Sequence, residues 1–244
     1  MGGSFVWGAF AASSLLIGAL IALRFRISPW RLGIVMAFGA GVLISAVAFD
    51  LVEDAYNNLT GGSLSLALGL LAGSVAFFLG DRLIDQMGAA DRKSPTGADE
   101  EGNALAIVLG AVLDGVPESI VIGVNLMQGE ALGVAYILAV FLSNLPEGMA
   151  ATTGLRQSGW RTRGIIGLWS MVVLAAGLAS LGGYLLLKDA TPTTIGFVQT
   201  FAAGAILTML ADTMMPEAYA HSRKVVGLVT TFGFAVAYAI HVLE

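Results

Sequence analysis

Hydrophobic and polar positions in this chain are segregated into long blocks. Runs of apolar residues, each about as long as the ~20 residues a helix needs to cross a bilayer, are separated by short polar punctuation. Eight runs qualify: 4–23, 32–52, 63–84, 104–127, 131–154, 164–187, 194–219 and 225–243. The separators carry the turn-forming and charged residues expected between helices, such as Pro29 between Arg24 and Arg31, Asn57 to Gly62, Gln128 to Glu130 and Lys188 to Pro192. The longest one, 88–103, is polar and charged and reads as a flexible loop. The first run is too long and too evenly apolar for a cleaved signal and has no basic segment before it, so it reads as a retained span.

Composition agrees with that pattern. Of 244 residues, 57% are hydrophobic and 12% charged, against ~25% charged in ordinary soluble domains. Apolar surface on this scale cannot be hidden inside 25.1 kDa of water-soluble protein. The expected fold class is therefore an all-α integral membrane protein, a single transmembrane domain over 1–244 with eight transmembrane helices. Absence of cysteine excludes a disulfide scaffold, a thiolate zinc site and a cysteine nucleophile. A net charge of −5 excludes a polybasic nucleic-acid binder.

Eight alternating spans place every lysine and arginine except Lys188 on one side. The positive-inside rule makes that side cytoplasmic. The expectation is a multi-pass protein of the cytoplasmic (inner) membrane, with both termini extracytoplasmic and 88–103 cytoplasmic. Small residues in the spans, including Gly69 and Gly73, suit close helix packing.

Six acids lie inside apolar runs: Asp50, Asp114, Glu118, Glu147, Asp212 and Glu217. An acid at bilayer depth costs on the order of 3 kcal/mol, and no span offers an arginine or lysine to pair with them. They must be protonated or share cations, although a boundary position also accounts for Asp50 and Glu217. Asp114 and Glu118 are spaced i,i+4 and share a helix face. Ser143 is i,i+4 to Glu147, and Asn144 lies between them. Three prolines, Pro117, Pro146 and Pro216, directly precede acids. Each removes an N–H and frees the carbonyl four residues back, kinking the helix; the carbonyls are those of Leu113, Leu142 and Asp212. Freed carbonyls at membrane depth are tolerated beside a polar cavity, and next to carboxylates, an amide and a hydroxyl they suit a cation.

The segments Asp114-Gly-Val-Pro-Glu118-Ser and Ser143-Asn-Leu-Pro-Glu147-Gly resemble the paired Pro-Glu motifs of ZIP (ZRT/IRT-like) metal transporters, as in a divergent prokaryotic-type member. Ala48-Phe-Asp50-Leu-Val-Glu53 and Asp212-Thr-Met-Met-Pro-Glu217 fit as well. The resemblance implies a ZIP-like bundle with helices 4 and 5 central, and inward passage of metal by an elevator-type movement of one helix bundle against another. It also implies a homodimer. Its metal ligands are Asp114, Glu118 and Glu147, with Ser143 and Asn144 as helpers. Asp212 belongs to the metal path, with Asp50 and Glu53 at the outer mouth. The chain departs from the family where Asp114 and Ser143 replace histidine or glutamine, Gly115 replaces asparagine, and the sixth span holds no acid. One metal position is therefore expected, not two.

A site of oxygen donors alone tilts the substrate toward harder ions than zinc, although zinc, manganese, iron and cadmium all accept carboxylates. The expected partners are divalent metal ions and the lipid bilayer; no nucleic acid, prosthetic group or enzymatic activity is expected. His221, four residues after Glu217, fits either a metal-exit or pH-sensing role or a solvated boundary, and His241 reads as structural. Two other classes stay open: a ZIP-like protein moving another solute by proton coupling or serving regulation, and an intramembrane metal-dependent enzyme.

Overall fold

The computed structural model describes residues 2–57, 63–89, 104–128 and 134–243. Most of 88–103, with its Asp99-Glu100-Glu101 run, lies outside the described residues. The described helices are α1 (Gly2–Arg24), α2 (Pro29–Ala46), α3 (Asp54–Asn57), α4 (Ser63–Ile84), α5 (Ala104–Gln128), α6 (Val134–Gln157), α7 (Thr162–Leu187), α8 (Pro192–Met209), α9 (Met215–Ser222) and α10 (Val225–Leu243). There is no strand among them. Eight helical stretches are long and apolar enough to cross a membrane, with α2–α3 and α8–α9 each forming one continuous stretch (Pro29–Asn57 and Pro192–Ser222). The chain is an all-α, multi-pass membrane protein. Its surface agrees: Leu64, Leu68, Leu71, Val75, Phe78, Leu79 and Leu83 of α4 are all exposed, an apolar face larger than water tolerates.

Local chemistry sets the helix starts. Ser28 and Thr191 are N-caps in extended conformation, each followed by proline at the first helical position. Their hydroxyls accept from the N–H of Arg31 at 3.4 Å and of Thr194 at 3.3 Å, satisfying donors that a helix start leaves orphaned. At the end of α6, Arg156 donates to the carbonyls of Ala22 and Leu23, both at 3.3 Å. It thereby satisfies the last turn of α1, where a cation is favoured.

Among the described residues, three π-helical segments follow regular helices, at Val47–Glu53, Asp85–Ala89 and Leu210–Met214. A π turn disturbs the i→i−4 ladder and recurs at functional sites. Two of the three contain an acid singled out in the sequence, Asp50 and Asp212.

The helices sort into two four-span bundles. α1 packs on α6 and α7, and α5 on α7; α4 packs on α8, and α2 on α10 and α9. The bundles meet mainly along α2 and α6, with α5 touching α8. Within each bundle the seams are closed by glycines that leave no room for a Cβ. A methyl at Gly18 would strike the carbonyl of Leu145, and one at Gly148 the carbonyl of Leu15, so α1 and α6 meet backbone to backbone. Gly41 and Gly233 do the same between α2 and α10 against Thr230 and Phe38. The equivalents are Gly123 and Gly183 between α5 and α7, and Gly73 and Gly204 between α4 and α8. Small residues permit such approach where lipid supplies no hydrophobic drive.

Hydrogen bonds add further ties within the bundles. Trp169 Nε1 donates to Thr152 Oγ1, Ser180 Oγ to the Ser4 carbonyl, and Thr208 Oγ1 to Ser74 Oγ, each at 2.8 Å and each within one bundle. Where the bundles meet, the contact at Gly39 is less close. A Cβ on Gly39 of α2 would meet Met214 Cε at 3.0 Å, Ser143 Cα at 3.1 Å and Pro146 Cγ at 3.3 Å.

Candidate metal-binding site

The two motif helices carry their polar residues as stripes. On α5, Asp114, Glu118 and Asn125 fall at i, i+4 and i+11, which is one face of a helix. On α6, Tyr136, Val140, Ser143 and Glu147 fall at i, i+4, i+7 and i+11. All of these side chains are buried: Glu118 is 1% exposed, Asp114 and Glu147 6%, Asn144 4% and Ser143 fully enclosed. Burial of three carboxylates in an apolar bundle is expensive unless something polar or cationic meets them. The helices run unbroken through Pro117 and Pro146, whose missing N–H groups leave the carbonyls of Leu113 and Leu142 without their usual helical donor. Ser143 donates to the Val140 carbonyl at 3.0 Å, so its oxygen lone pairs remain available to a cation.

The stripe lies where the bundles meet. Gly39 of α2 comes against α6 between Ser143 and Pro146, one turn from Glu147. Tyr136, wholly buried, is within electrostatic reach of both Glu118 and Asp50, so the α5 stripe, the α6 stripe and the π segment Val47–Glu53 face a common interior. Among the described residues, no three His, Asp or Glu side chains converge closely enough to hold a metal ion between them. In this arrangement of the helices, Asp114, Glu118 and Glu147 do not close on one point. Ser143, Asn144 and the freed carbonyls are further oxygen donors on these two helices.

The remaining candidates are dispersed. Asp50 is buried and Glu53 exposed. Glu217 is half-buried and sits 3.2 Å from His221 Nε2, one turn away on α9. Pro216 opens α9 directly after the third π segment. Asp212 is exposed, and it lines a groove of about 670 Å³ with Leu70, Ser74 and Phe78 of α4 and Thr208 of α8. That groove includes no residue of α5 or α6.

Two of the six intramembrane acids, for which no span offers an arginine or lysine, meet a histidine instead. Each histidine pairs with one acid, His241 with Asp50 at 2.6 Å and His221 with Glu217. The sequence reading also passed over Tyr136, Asn125 and Gln199, all buried and polar. The Tyr136 hydroxyl, the Asn125 side-chain oxygen and both amide atoms of Gln199 have no hydrogen-bond partner among the described residues. The heptad spacing of Tyr136 before Ser143, and of Asn125 after Glu118, was the available signal for two of the three.

The surroundings of Gly115 are apolar. Beside Gly115, a cavity of about 10 Å³ is lined by Ala111, Val112 and Val116 of α5 with Val172, Ala175 and Ala176 of α7. It offers no donor side chain and is too small for more than about one water.

No family model matches the chain. It is similar to an Arabidopsis thaliana protein named "Putative zinc transporter", with 28% identity over 207 residues, covering 83% of this chain and 32% of that protein. The chain thus spans about a third of the length of the relative it matches. The similarity runs through most of the helical bundle and agrees with the resemblance to ZIP metal transporters carried by Asp114 to Ser119 and Ser143 to Gly148.

Proposed function

We propose that the chain carries divalent transition-metal cations across the cytoplasmic membrane, through a carboxylate site between α5 and α6. The observation that carries this reading is the burial of Asp114, Glu118 and Glu147, with Ser143 and Asn144, at the seam where two helix bundles meet. Three acids in lipid-embedded helices, with no lysine or arginine beside them in the sequence, are counter-charges for a cation. The relative named as a zinc transporter supports metal as the cargo. Carboxylate, carbonyl, hydroxyl and amide oxygens accept zinc, manganese, iron or cadmium, and favour the harder of these. The metal is substrate here, and no prosthetic group is part of the reading.

Two bundles with a less close contact between them at Gly39 support an elevator-type movement. Backbone-to-backbone glycine contacts join α1 to α6, α5 to α7, α2 to α10 and α4 to α8, and the packing of α1 on α7 and of α2 on α9 gathers these pairs into two bodies, while side-chain contacts at Gly39 yield more readily. The first body carries the ligands and the second the π segments, so sliding exposes the site alternately to each side. The basic residues assign the cytoplasmic face, leaving both termini outside; inward transport is the direction that the resemblance to ZIP transporters implies. Asp50 and Glu53 belong to the outer mouth, Glu217 and His221 to the inner end, and Asp212 to the bundle surface. The unit acts as a homodimer.

A metal-by-metal binding titration on the purified protein tests the site. Specific binding of at least one of the four metals, lost in Asp114→Ala and in Glu118→Ala, is expected. Absence of divalent binding in the folded wild-type protein would remove the reading.

A further inference from the structure

His241 is 191 residues from Asp50 in sequence, yet its Nδ1 lies 2.6 Å from Asp50 Oδ1. With Asp50 ionised, its carboxylate only accepts, and the imidazole proton of this contact then sits on Nδ1. In the neutral ring, Nε2 then carries the lone pair. Nε2 has no hydrogen-bond or ion-pair partner among the described residues. The ring plane is fixed by Phe49, whose centroid is 5.5 Å away at an interplanar angle of 30°, and Phe49 is backed by Tyr238 at 4.9 Å. The His241 side chain is 31% exposed and that of Asp50 12%, so the imidazole is reachable from solution while the carboxylate behind it is sheltered. An imidazole oriented by a carboxylate on one nitrogen, with a lone pair on the other, is how metal-binding histidines are prepared; the carboxylate fixes the tautomer and raises the basicity of the ligating nitrogen.

The pair also has a place on a route. α10 and the π segment Val47–Glu53 bring it to the end of the bundle where α3 and α5 finish and α6 begins, opposite the end that holds Arg24, Arg31 and Arg223. Tyr136 lies near the start of α6, within electrostatic reach of Asp50 on one side and Glu118 on the other.

We infer that His241, held by Asp50, is a capture ligand for a divalent transition metal arriving from the arginine-poor side, upstream of the oxygen-only site on α5 and α6. This inference rests on the transport reading above and deepens it. One imidazole nitrogen completed by water gives a site weak enough to release its ion inward. Its chemistry also differs from that of the inner site: nitrogen favours zinc and iron, whereas the inner oxygens favour manganese. Capture by His241 therefore raises the protein's effectiveness toward zinc at low concentration more than toward manganese.

The test uses the full chain in detergent with its two histidines labelled with nitrogen-15, and zinc chloride as the probe. His241→Gln assigns the His241 signals by their loss. On adding zinc, the His241 Nε2 resonance is expected to shift in the wild type and equally in a Glu118→Ala/Glu147→Ala variant, which removes the inner site. In Asp50→Asn the zinc concentration needed is expected to rise about tenfold, the usual effect of deleting a carboxylate behind a ligating histidine. In proteoliposomes, His241→Gln is expected to raise the KM for zinc more than that for manganese, with kcat changed much less than KM. A His241 resonance indifferent to zinc in folded wild-type protein overturns the inference and makes the pair a tie between helices. A shift that persists while Glu118→Ala and Glu147→Ala transport normally upholds capture at His241 and removes the carboxylate path on α5 and α6 instead.

Discussion

Alanine at Gly41 and alanine at Gly39 lie two residues apart on α2, and the structure assigns them opposite consequences. At Gly41 the new methyl would fall on the carbonyl oxygen of Thr230, with Phe234 N 2.8 Å away. Both are backbone atoms of α10, so relief requires the helices to separate. Overpacking of this kind costs ~1–3 kcal/mol or more, and the better helix propensity of alanine returns only ~1 kcal/mol. A net loss of about 2 kcal/mol is expected, together with partial loss of the α2–α10 seam. At Gly39 the methyl would meet the mobile end of Met214 at 3.0 Å, with Ser143 Cα at 3.1 Å and Pro146 Cγ at 3.3 Å. A shift of a few tenths of an ångström accommodates it, and the propensity gain balances the cost. Stability should therefore stay within about 0.5 kcal/mol of wild type. Gly39 stands on the seam that must slide, however. Carrying the methyl past Ser143 adds ~1 kcal/mol to the barrier and slows transport about fivefold. Denaturation in mixed micelles gives the first quantity and metal flux into proteoliposomes the second. If Gly39→Ala destabilises as much as Gly41→Ala, or if both leave flux and stability unchanged, the two-body description fails.

Further consequences follow from single contacts. Gln199→Met removes two buried amide atoms that have no hydrogen-bond partner among the described residues; a gain of ~1–3 kcal/mol is expected in the same denaturation assay, and a loss would show that the amide is satisfied. Trp169→Phe deletes the 2.8 Å bond to Thr152 and should cost ~1–2 kcal/mol, including the unpaired hydroxyl, with no change in metal affinity. Pro146→Ala restores an N–H to the Leu142 carbonyl, so the protein should be no less stable while metal affinity falls; unchanged affinity would remove that carbonyl from the site.

Much of the helical framework was legible in the sequence because burial in lipid requires one signal, length of apolar run, that residue composition carries directly. Asp114, Glu118, Ser143 and Glu147 were legible for the opposite reason, as polar residues at helical spacing where polarity is costly. The π segments were not: a π turn adds a residue to a helix without a characteristic composition, so nothing marked Asp50 or Asp212 as interrupting the ladder. The partition into two bundles depends on which glycine meets which backbone, as at Gly41 and Gly233, and hydropathy does not encode helix neighbours. Asp212 illustrates the limit. Like Asp114 it precedes a Pro-Glu pair in an apolar run, but the π segment after α8 sets it on the groove beside α4. His241 was legible only as a histidine in an apolar run, since its partner lies six spans away in the chain.

Uptake of zinc and manganese by proteoliposomes containing the wild-type chain, compared with Glu118→Ala and Glu147→Ala at equal reconstitution, tests the central claim most directly. Saturable uptake by the wild type, abolished in both variants while each keeps its helical content and monodispersity, is the result expected. Full transport by both variants would contradict a metal path through the carboxylates of α5 and α6.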